Sequence, residues 1–491
     1  MGWRDEDPGL PIKFGPVSNG EYDPQPLSPV VRESVRRARE ACERNARRKG
    51  VSRREFLLSL AGAATTLAVL DACTREEARQ AGRTPGGSYE VSPEATLDED
   101  VAMEEIGGEE FVFDVQGHLL DYEVNPATND AHRFWTRFPQ QDCGEDDPRD
   151  CFSIAHFMDE MFLKSDTTMV VVSSLPLPPD GPLSLEVMEE TARVATALCR
   201  DERVLLHGNP FPNVGPLESN LDKMENAARN HSISAWKVFT HYPHLWDGSG
   251  NAWWFDDHDP SLPQVGERFI EKSLELGVNR IAVHKGLSSG SRNASPEDIG
   301  PAARKHPEMS FLVYHSGYEY ELVEGPYTRS TANQGVNRLI TSMKRAGIGP
   351  NENVYAELGS TWWNLMRSPT EAAHLLGKLL RYVGEDNVIW GTDCLFYGSP
   401  QDQIQAMRSF QISQEFQERF GYPRLTKEIR AKILGLNGAR LYGVDPVTVP
   451  CEFSRKELAE LRPKLPLRNA VYGPTTLEEA AAFRDAHQGW P

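Results

Sequence analysis

The chain has few cysteines, and they show no metal-binding or redox arrangement. Only seven occur in 491 residues, and none stands in a Cys-x-x-Cys pair or at zinc-ribbon spacing. Because structural zinc fingers and redox dithiols typically use such pairs, neither is indicated by the sequence. In an exported protein Cys143 and Cys151 would be placed to form a disulfide across a short acidic loop, although two free thiols are the simpler expectation.

Positive charge is also scarce. The chain carries 52 basic against 72 acidic residues, a formal net charge of -20. Such a surface repels phosphate backbones and anionic lipids, so we expect a small-molecule substrate and no nucleic-acid partner. With 39% hydrophobic residues the chain can bury one large barrel plus tails. A homo-oligomer is compatible with this composition.

No apolar run is long enough to span a bilayer. The longest, Phe56 to Leu70, has about 15 residues, whereas a spanning helix needs about 20. It follows the sequence Ser-Arg-Arg-Glu-Phe-Leu-Leu at 52–58, which resembles a twin-arginine (Tat) export signal and departs from it at Leu58. The resemblance implies export by the Tat translocase to the periplasm or another extracytoplasmic space. The alternative is a buried helix of an intracellular protein.

The residues around this signal segment, 52–73, predict further features. Leu-Asp-Ala-Cys at 70–73 resembles a bacterial lipobox, which would place a lipid anchor on Cys73, although aspartate stands where that motif has a small neutral residue. Residues 1–51 are rich in proline and arginine, and we interpret them as a disordered leader or a mis-annotated start. Residues 74–108 are polar, acidic and punctuated by glycine and proline, as in a disordered linker.

After the linker, short apolar runs alternate with amphipathic stretches, which indicates repeated strand-helix units. The predicted strands are Phe111–Val115, Thr168–Ser173, Val204–His207, Ala235–Thr240, Arg280–His284, Phe311–His315, Val354–Glu357 and Val388–Gly391. Nearly continuous apolar runs are typical of strands buried on both faces. We therefore predict the α/β class, with a (β/α)8 TIM-type barrel over 109–445 and a C-terminal arm over 446–491 that carries one short helix from Thr476. An open parallel sheet is the alternative.

Polar residues end several of these strands. His118, His284, His315 and Asp393 follow strands one, five, six and eight. In a barrel of this type the chemistry lies at the C-terminal rim, so these side chains are expected to converge there. Imidazole nitrogen and carboxylate oxygen are ligands that zinc accepts.

Taken together, these motifs resemble the amidohydrolase-related family (amidohydrolase 2 type), metal-dependent hydrolases that include enzymes like aminocarboxymuconate-semialdehyde decarboxylase. The matching pieces are Phe-Asp-Val-Gln-Gly-His at 113–118, Ala-Val-His at 282–284, Val-Tyr-His-Ser-Gly at 313–317, Trp-Gly-Thr-Asp at 390–393 and Lys-Ile-Leu-Gly-Leu-Asn-Gly-Ala-Arg-Leu-Tyr-Gly at 432–443. The resemblance implies that His118 and His284 bind the metal and that Asp393 binds it or takes a proton from the activated water. His315 would polarise the substrate or assist that water. The cation would lower the pKa of water toward ~7.

The chain departs from the family pattern at Gln116, which replaces the first histidine of the family's His-x-His pair. An amide oxygen is a poorer ligand for zinc than imidazole, so Gln116 would be at most a weak ligand. We expect a divalent metal, zinc first, with manganese or iron as alternatives. Lys237 ends strand four, where it would contact the substrate or, as in binuclear relatives, carry a bridging carbamate. The substrate contact is favoured because a second metal would lack ligands.

Two further strand ends carry polar residues. We predict that Glu357 contacts the substrate or orients a ligand or water, with support of a ligand from behind as the alternative. His207 is predicted as a rim residue that touches the substrate. The sequence thus predicts a metal-dependent hydrolase of a small amide, ester or lactone. The alternatives are a non-oxidative decarboxylase on the same fold and a metal-free periplasmic binding protein.

Overall fold

A computed structural model describes residues 8–120, 151–175, 183–199, 201–241, 252–287, 291–446 and 471–486. Eight parallel strands form one sheet in strict chain order. They are β1 Phe113–Gly117, β2 Met169–Val172, β3 Val204–Gly208, β4 Ile233–Phe239, β5 Arg280–His284, β6 Ser310–Tyr314, β7 Val354–Glu357 and β8 Val388–Ile389. Each overlaps one of the eight predicted strands, which confirms those predictions.

The sheet closes on itself between β8 and β1. Val115 N donates to Trp390 O at 3.0 Å, and Asp393 N donates to Gln116 O at 3.0 Å. Gly117 also forms a parallel bridge with Cys394. The predicted (β/α)8 barrel is therefore confirmed, and the open sheet is excluded.

Alternation along the strands decides which side chains face the barrel interior. Phe113, Met169, Ala235 and Ala282 belong to one buried cluster inside the barrel, whereas their strand neighbours pack outward against the helices. Lys237 and His284 lie two residues beyond Ala235 and Ala282, so they face inward at the C-terminal end. Strand alternation thus places the amine of Lys237 and the imidazole of His284 at the C-terminal mouth of the barrel.

Helices cover the outside of the barrel. In the described residues from the first barrel strand onward they are Ile154–Met158, Leu185–Cys199, Leu217–Asn230, Gly266–Glu275, Ile299–Lys305, Asn337–Ala346, Thr361–Leu365, Pro369–Tyr382, Gln401–Ser409, Gln414–Phe420, Lys427–Ala431, Asn437–Tyr442 and Leu477–Ala486. The last of these is the short helix expected in the C-terminal arm. No helix in the described part of the chain is both long and apolar enough to cross a membrane.

The expectation of a disordered leader is wrong for residues 8–50. Helix α1 spans Pro29–Lys49, followed by α2 Arg53–Leu57 and α3 Leu60–Gln80. Ser28 caps α1 and Gly50 ends it in a left-handed conformation. The proline and arginine content concealed an ordinary helix, because proline stands at its first turn and alanines and Cys42 form its buried face.

The prediction of a disordered polar linker over 74–108 is also wrong. Helix α3 continues to Gln80, Gly87–Tyr89 pairs antiparallel with Phe410–Ile412, and a further helix spans Glu99–Ile106. Tyr89 and Ile106 are buried, so a few apolar anchors hold a polar segment on the barrel. Cys73 is a buried free thiol. Tat export and lipidation stay predictions.

One cysteine departs from the simpler expectation of free thiols. Cys151 is disulfide-bonded. Its predicted partner, Cys143, lies outside the described residues.

Candidate active site

The side chains predicted to converge do line a single small cavity at the C-terminal ends of the strands. Its lining is Asn19, Glu21, Gln116, His118, Leu175, Lys237, Phe239, His284, His315, Asp393 and Phe396. The open space at its centre is about that of one water molecule or one cation. The cavity is therefore lined mostly by polar groups and is too small, in this form, for an organic substrate.

Two of the lining residues have an unusual backbone. His315 and Asp393 have φ of 64° and 60°, in the left-handed region that non-glycine residues rarely adopt. Such a conformation costs about 1–3 kcal/mol and persists only where the surroundings impose it. At both positions it follows the end of a strand and turns the side chain into the mouth.

Glu357 imposes this conformation on His315 from behind. Its Oε2 accepts a hydrogen bond from His315 N at 2.9 Å, and its Oε1 accepts one from Gly359 N at 2.5 Å. Burial raises the pKa of this carboxyl above its usual range. Since both oxygens are engaged and Glu357 does not line the cavity, its contacts favour the supporting role over the predicted substrate contact.

Asp393 accepts hydrogen bonds from four side chains. Gln116 Nε2 and His118 Nε2 lie 2.9 and 3.1 Å from Oδ1. Asn19 Nδ2 and Ser360 Oγ lie 2.9 and 2.5 Å from Oδ2. Burial alone would raise the pKa of Asp393, but the hydrogen bond and charge of His118 hold it below the usual range. This carboxylate is therefore ionised.

A second group lies across the cavity. His315 Nε2 is 3.1 Å from His284 Nδ1, and His284 Nε2 is 3.3 Å from Glu21 Oε2. One ligand atom from each of these three residues lies within 4.8 Å of the others. Burial lowers the pKa of His315 to about 4 and that of His284 well below its usual range, so both imidazoles are neutral.

These residues fit a divalent cation. Two neutral imidazoles and a carboxylate are a donor set that zinc accepts. Gln116 Oε1 is buried and has no hydrogen-bond partner among the described residues, which leaves one more oxygen on this cavity. Of the predicted ligands, His284 lies in the group of three, whereas His118 and Asp393 are paired with each other beside it. His315, predicted to act on substrate or water, joins His284.

The amine of Lys237 faces the same cavity. Its Nζ lies 3.8 Å from the ring centre of Tyr314 and has no hydrogen-bond partner in the described part of the chain. Burial lowers its pKa well below the usual range of lysine. Its position agrees with the predicted substrate contact, since the amine can still donate to an incoming oxygen.

His207 does not reach the cavity. It is buried inside the barrel, where its Nε2 lies 2.8 Å from Tyr442 Oη and its ring stacks on that of Tyr442. Tyr442 belongs to the helix that follows the barrel and packs into the interior cluster. The prediction of a rim residue is therefore wrong, and a substrate contact is not favoured, because His207 points into the barrel interior and is fully buried there.

Sequence reasoning missed Asn19 and Glu21. Both lie in the segment interpreted as a disordered leader, about 90 residues before the first barrel strand. The only local signal is a polar Ser-Asn-Gly-Glu stretch at 18–21 between the apolar residues Val17 and Tyr22. This stretch is too short to identify a functional site when the fold is not known.

Several solved structures resemble this chain. An uncharacterized TIM-barrel protein from Bordetella bronchiseptica is 14% identical, covering 68% of this chain and 98% of that one, with a TM-score of 0.41. A dihydroorotase from Campylobacter jejuni is 14% identical, covering 68% and 84%, with a TM-score of 0.35. An amidohydrolase 2 from Bifidobacterium longum subsp. infantis is 12% identical, covering 69% and 100%, with a TM-score of 0.36.

Sequence comparison gives two results. No curated protein matches the chain. The sequence profile of the amidohydrolase family matches residues 184–444, which is more than half of the 491 residues. The matched stretch includes Lys237, His284, His315 and Asp393, all of which line the cavity. The chain therefore belongs to the amidohydrolase family.

Proposed function

We propose that this protein is a metal-dependent hydrolase that uses activated water to cleave a small amide, ester or lactone. One observation carries the proposal. The ionised Asp393, paired with His118 at 3.1 Å, lines the same cavity as the neutral imidazoles of His284 and His315. A proton acceptor and a set of metal donors thus share a space the size of one water or ion, within a family of amidohydrolases.

The cation would be held by His284, His315 and a carboxylate, and when bound it would make water acidic enough to be deprotonated near neutral pH. Asp393 is placed to accept that proton, because its ionised carboxylate lines the same cavity. Hydrolysis adds water across the C–N or C–O bond of the substrate. Asp393 then returns the proton to the leaving nitrogen or oxygen, so no external acid or base is consumed.

Lys237 supports an oxygen-bearing substrate. Its amine is buried on the cavity wall without a hydrogen-bond partner among the described residues. An unsatisfied buried donor costs about 1–3 kcal/mol, and a substrate oxygen that accepts from it recovers that cost. We propose that Lys237 binds the acyl oxygen or a carboxylate of the substrate.

Metal analysis and a substrate panel test this function. The purified protein, stripped with a chelator and then loaded with zinc, manganese or iron, is expected to hold about one equivalent and to hydrolyse a member of a panel of small amides, esters and lactones. Incorporation of oxygen from labelled water into the acid product identifies hydrolysis. Carbon dioxide release without that label would instead identify a decarboxylase. A protein that retains no metal and turns over nothing would contradict the enzyme function.

A further inference from the structure

The N-terminal segment before α1 lies over the mouth of the barrel. Residues 8–22 contribute Ile12, Phe14, Val17 and Tyr22 to the hydrophobic core, each no more than 2% exposed. A segment buried to this extent is part of the folded barrel. It lies outside the stretch that the family profile matches.

Specific polar contacts fix this segment at both ends. Lys13 Nζ forms a buried ion pair with Asp402 at 3.2 Å and donates to Ser399 O at 2.7 Å. Tyr22 Oη lies 2.9 Å from Tyr397 Oη and accepts a hydrogen bond from Asn364 Nδ2 at 3.0 Å. Both anchors lie on the polypeptide that follows β7 and β8, next to the cavity. The residues between the anchors are therefore held in a defined position.

Between the anchors, a tight turn points two side chains into the cavity. Gly20 has φ of 96°, a conformation that glycine adopts without strain. Asn19 Oδ1 accepts from Glu21 N at 3.1 Å, while Asn19 Nδ2 donates to Glu21 Oε2 at 3.2 Å and to Asp393 at 2.9 Å. The turn orients the Glu21 carboxyl group so that Oε2 lies 3.3 Å from His284 Nε2.

In the family pattern a histidine stands at the position that Gln116 occupies in this chain. The amide of glutamine is a poor zinc ligand. The structure supplies a carboxyl oxygen on the same cavity from another part of the chain. Glu21, His284 and His315 have ligand atoms within 4.8 Å of one another, and all three are buried. We propose that Glu21 is a ligand of the catalytic metal, supplied by the N-terminal segment, and that it compensates for the glutamine at position 116.

This inference rests on the proposed metal-dependent function, and its test separates the two. Apo protein is titrated with zinc against a chromophoric chelator, and metal content is measured after gel filtration. Wild type is compared with Glu21→Gln, which keeps the shape and replaces the carboxyl group by an amide, and with Asp23→Asn, which changes a carboxyl group of the same segment outside the cavity. We expect Glu21→Gln to weaken zinc binding by at least about tenfold, with Asp23→Asn unchanged.

Cobalt gives a second readout that does not depend on activity. Visible absorption of the cobalt-loaded protein reports the ligand set, so it should change in Glu21→Gln and stay as in wild type in Asp23→Asn. Urea unfolding of the apo proteins checks that Glu21→Gln folds. If it does not, Glu21→Asp, which keeps the carboxyl group and shortens its reach, must show the spectral change instead.

Two outcomes would overturn parts of this account. If wild type binds no metal, both the proposed function and the proposed ligand role of Glu21 fail. If wild type binds zinc and Glu21→Gln binds it equally well with an unchanged cobalt spectrum, only the Glu21 inference fails. Higher turnover in such a variant would show that the segment acts as a plug.

Discussion

Asn19 donates a hydrogen bond of 2.9 Å to Asp393 across 374 positions of the chain. The contact joins the start of the described chain to the loop after the last barrel strand. It also shows that the stretch matched by the family profile does not contain the whole cavity, because Asn19, Glu21, Gln116 and His118 all precede residue 184.

Asp393→Asn should remove turnover while leaving the fold intact. The amide cannot accept the proton of water, so we expect kcat to fall by at least about 100-fold, the lower end of the contribution of a general base. Steady-state kinetics on the substrate found by the panel measures the loss. Asp386→Asn, at a surface ion pair with Lys432, is the control and should keep wild-type kcat. Retained activity in Asp393→Asn would contradict the proposed role.

Gln116→His should tighten metal binding. Gln116 lines the cavity 3.5 Å from His118 Nε2, so an imidazole at this position restores the family's pair of histidines. We expect a gain on the order of tenfold in zinc affinity, measured by competition with a chelator. Gln411→His, a buried glutamine that donates to Leu425 O away from the cavity, should give no gain. An unchanged affinity in Gln116→His would show that Gln116 does not stand at a ligand position.

Gly391→Ala should damage the site through Glu357. A Cβ at this position would lie 1.7 Å from Glu357 Oε1, so the carboxylate must move and release the backbone of His315. We expect a loss of about 1–3 kcal/mol in the free energy of unfolding, as for overpacked cores, together with weaker metal binding. Urea unfolding and chelator competition measure the two effects. Gly325→Ala, with no atom within 4 Å of the added Cβ, is the control; equal behaviour of the two variants would contradict this support.

Lys237→Met should stabilise the metal-free protein most at low pH. Burial lowers the pKa of Lys237 in the folded state, whereas in the unfolded chain it is about 10.4. Between these two values the unfolded chain binds more protons, so wild-type stability rises with pH across that window. At pH 6.5, near or below the lowered pKa, methionine should raise the free energy of unfolding by at least about 1 kcal/mol.

The gain from Lys237→Met should shrink as the pH approaches about 10. Urea unfolding of both proteins at pH 6.5 and 9.5 measures this difference. If the gain in the free energy of unfolding does not depend on pH, removal of the Lys237 charge is not its cause. Lys164→Met, a partly buried lysine paired with Glu160, should be destabilised instead.

The working protein should retain its N-terminal residues. Processing near Cys73, as for a cleaved export signal or a lipoprotein, would remove Asn19 and Glu21 together with the Lys13–Asp402 ion pair. We therefore expect the intact mass of the protein isolated from its native cells to include residue 21, whichever compartment it is found in. A mature N-terminus after residue 70 would contradict this prediction and the metal-ligand role of Glu21.

The sequence by itself determined the barrel and half of its site. Eight apolar runs of strand length predicted eight strands, because hydrophobic periodicity is a local property. Polar residues at the ends of those runs then identified His118, His284, His315 and Asp393, since the C-terminal ends of barrel strands meet at one rim.

Tertiary structure alone decided the remaining features. Composition marked residues 1–51 as a leader, yet the buried position of Lys13 and Tyr22 depends on anchors such as Asp402 and Tyr397, hundreds of residues away along the chain. The roles of Glu357 and His207 likewise depend on which neighbour each side chain meets inside the barrel. Contacts of this kind are set by packing between distant segments, so the short-range sequence pattern does not predict them.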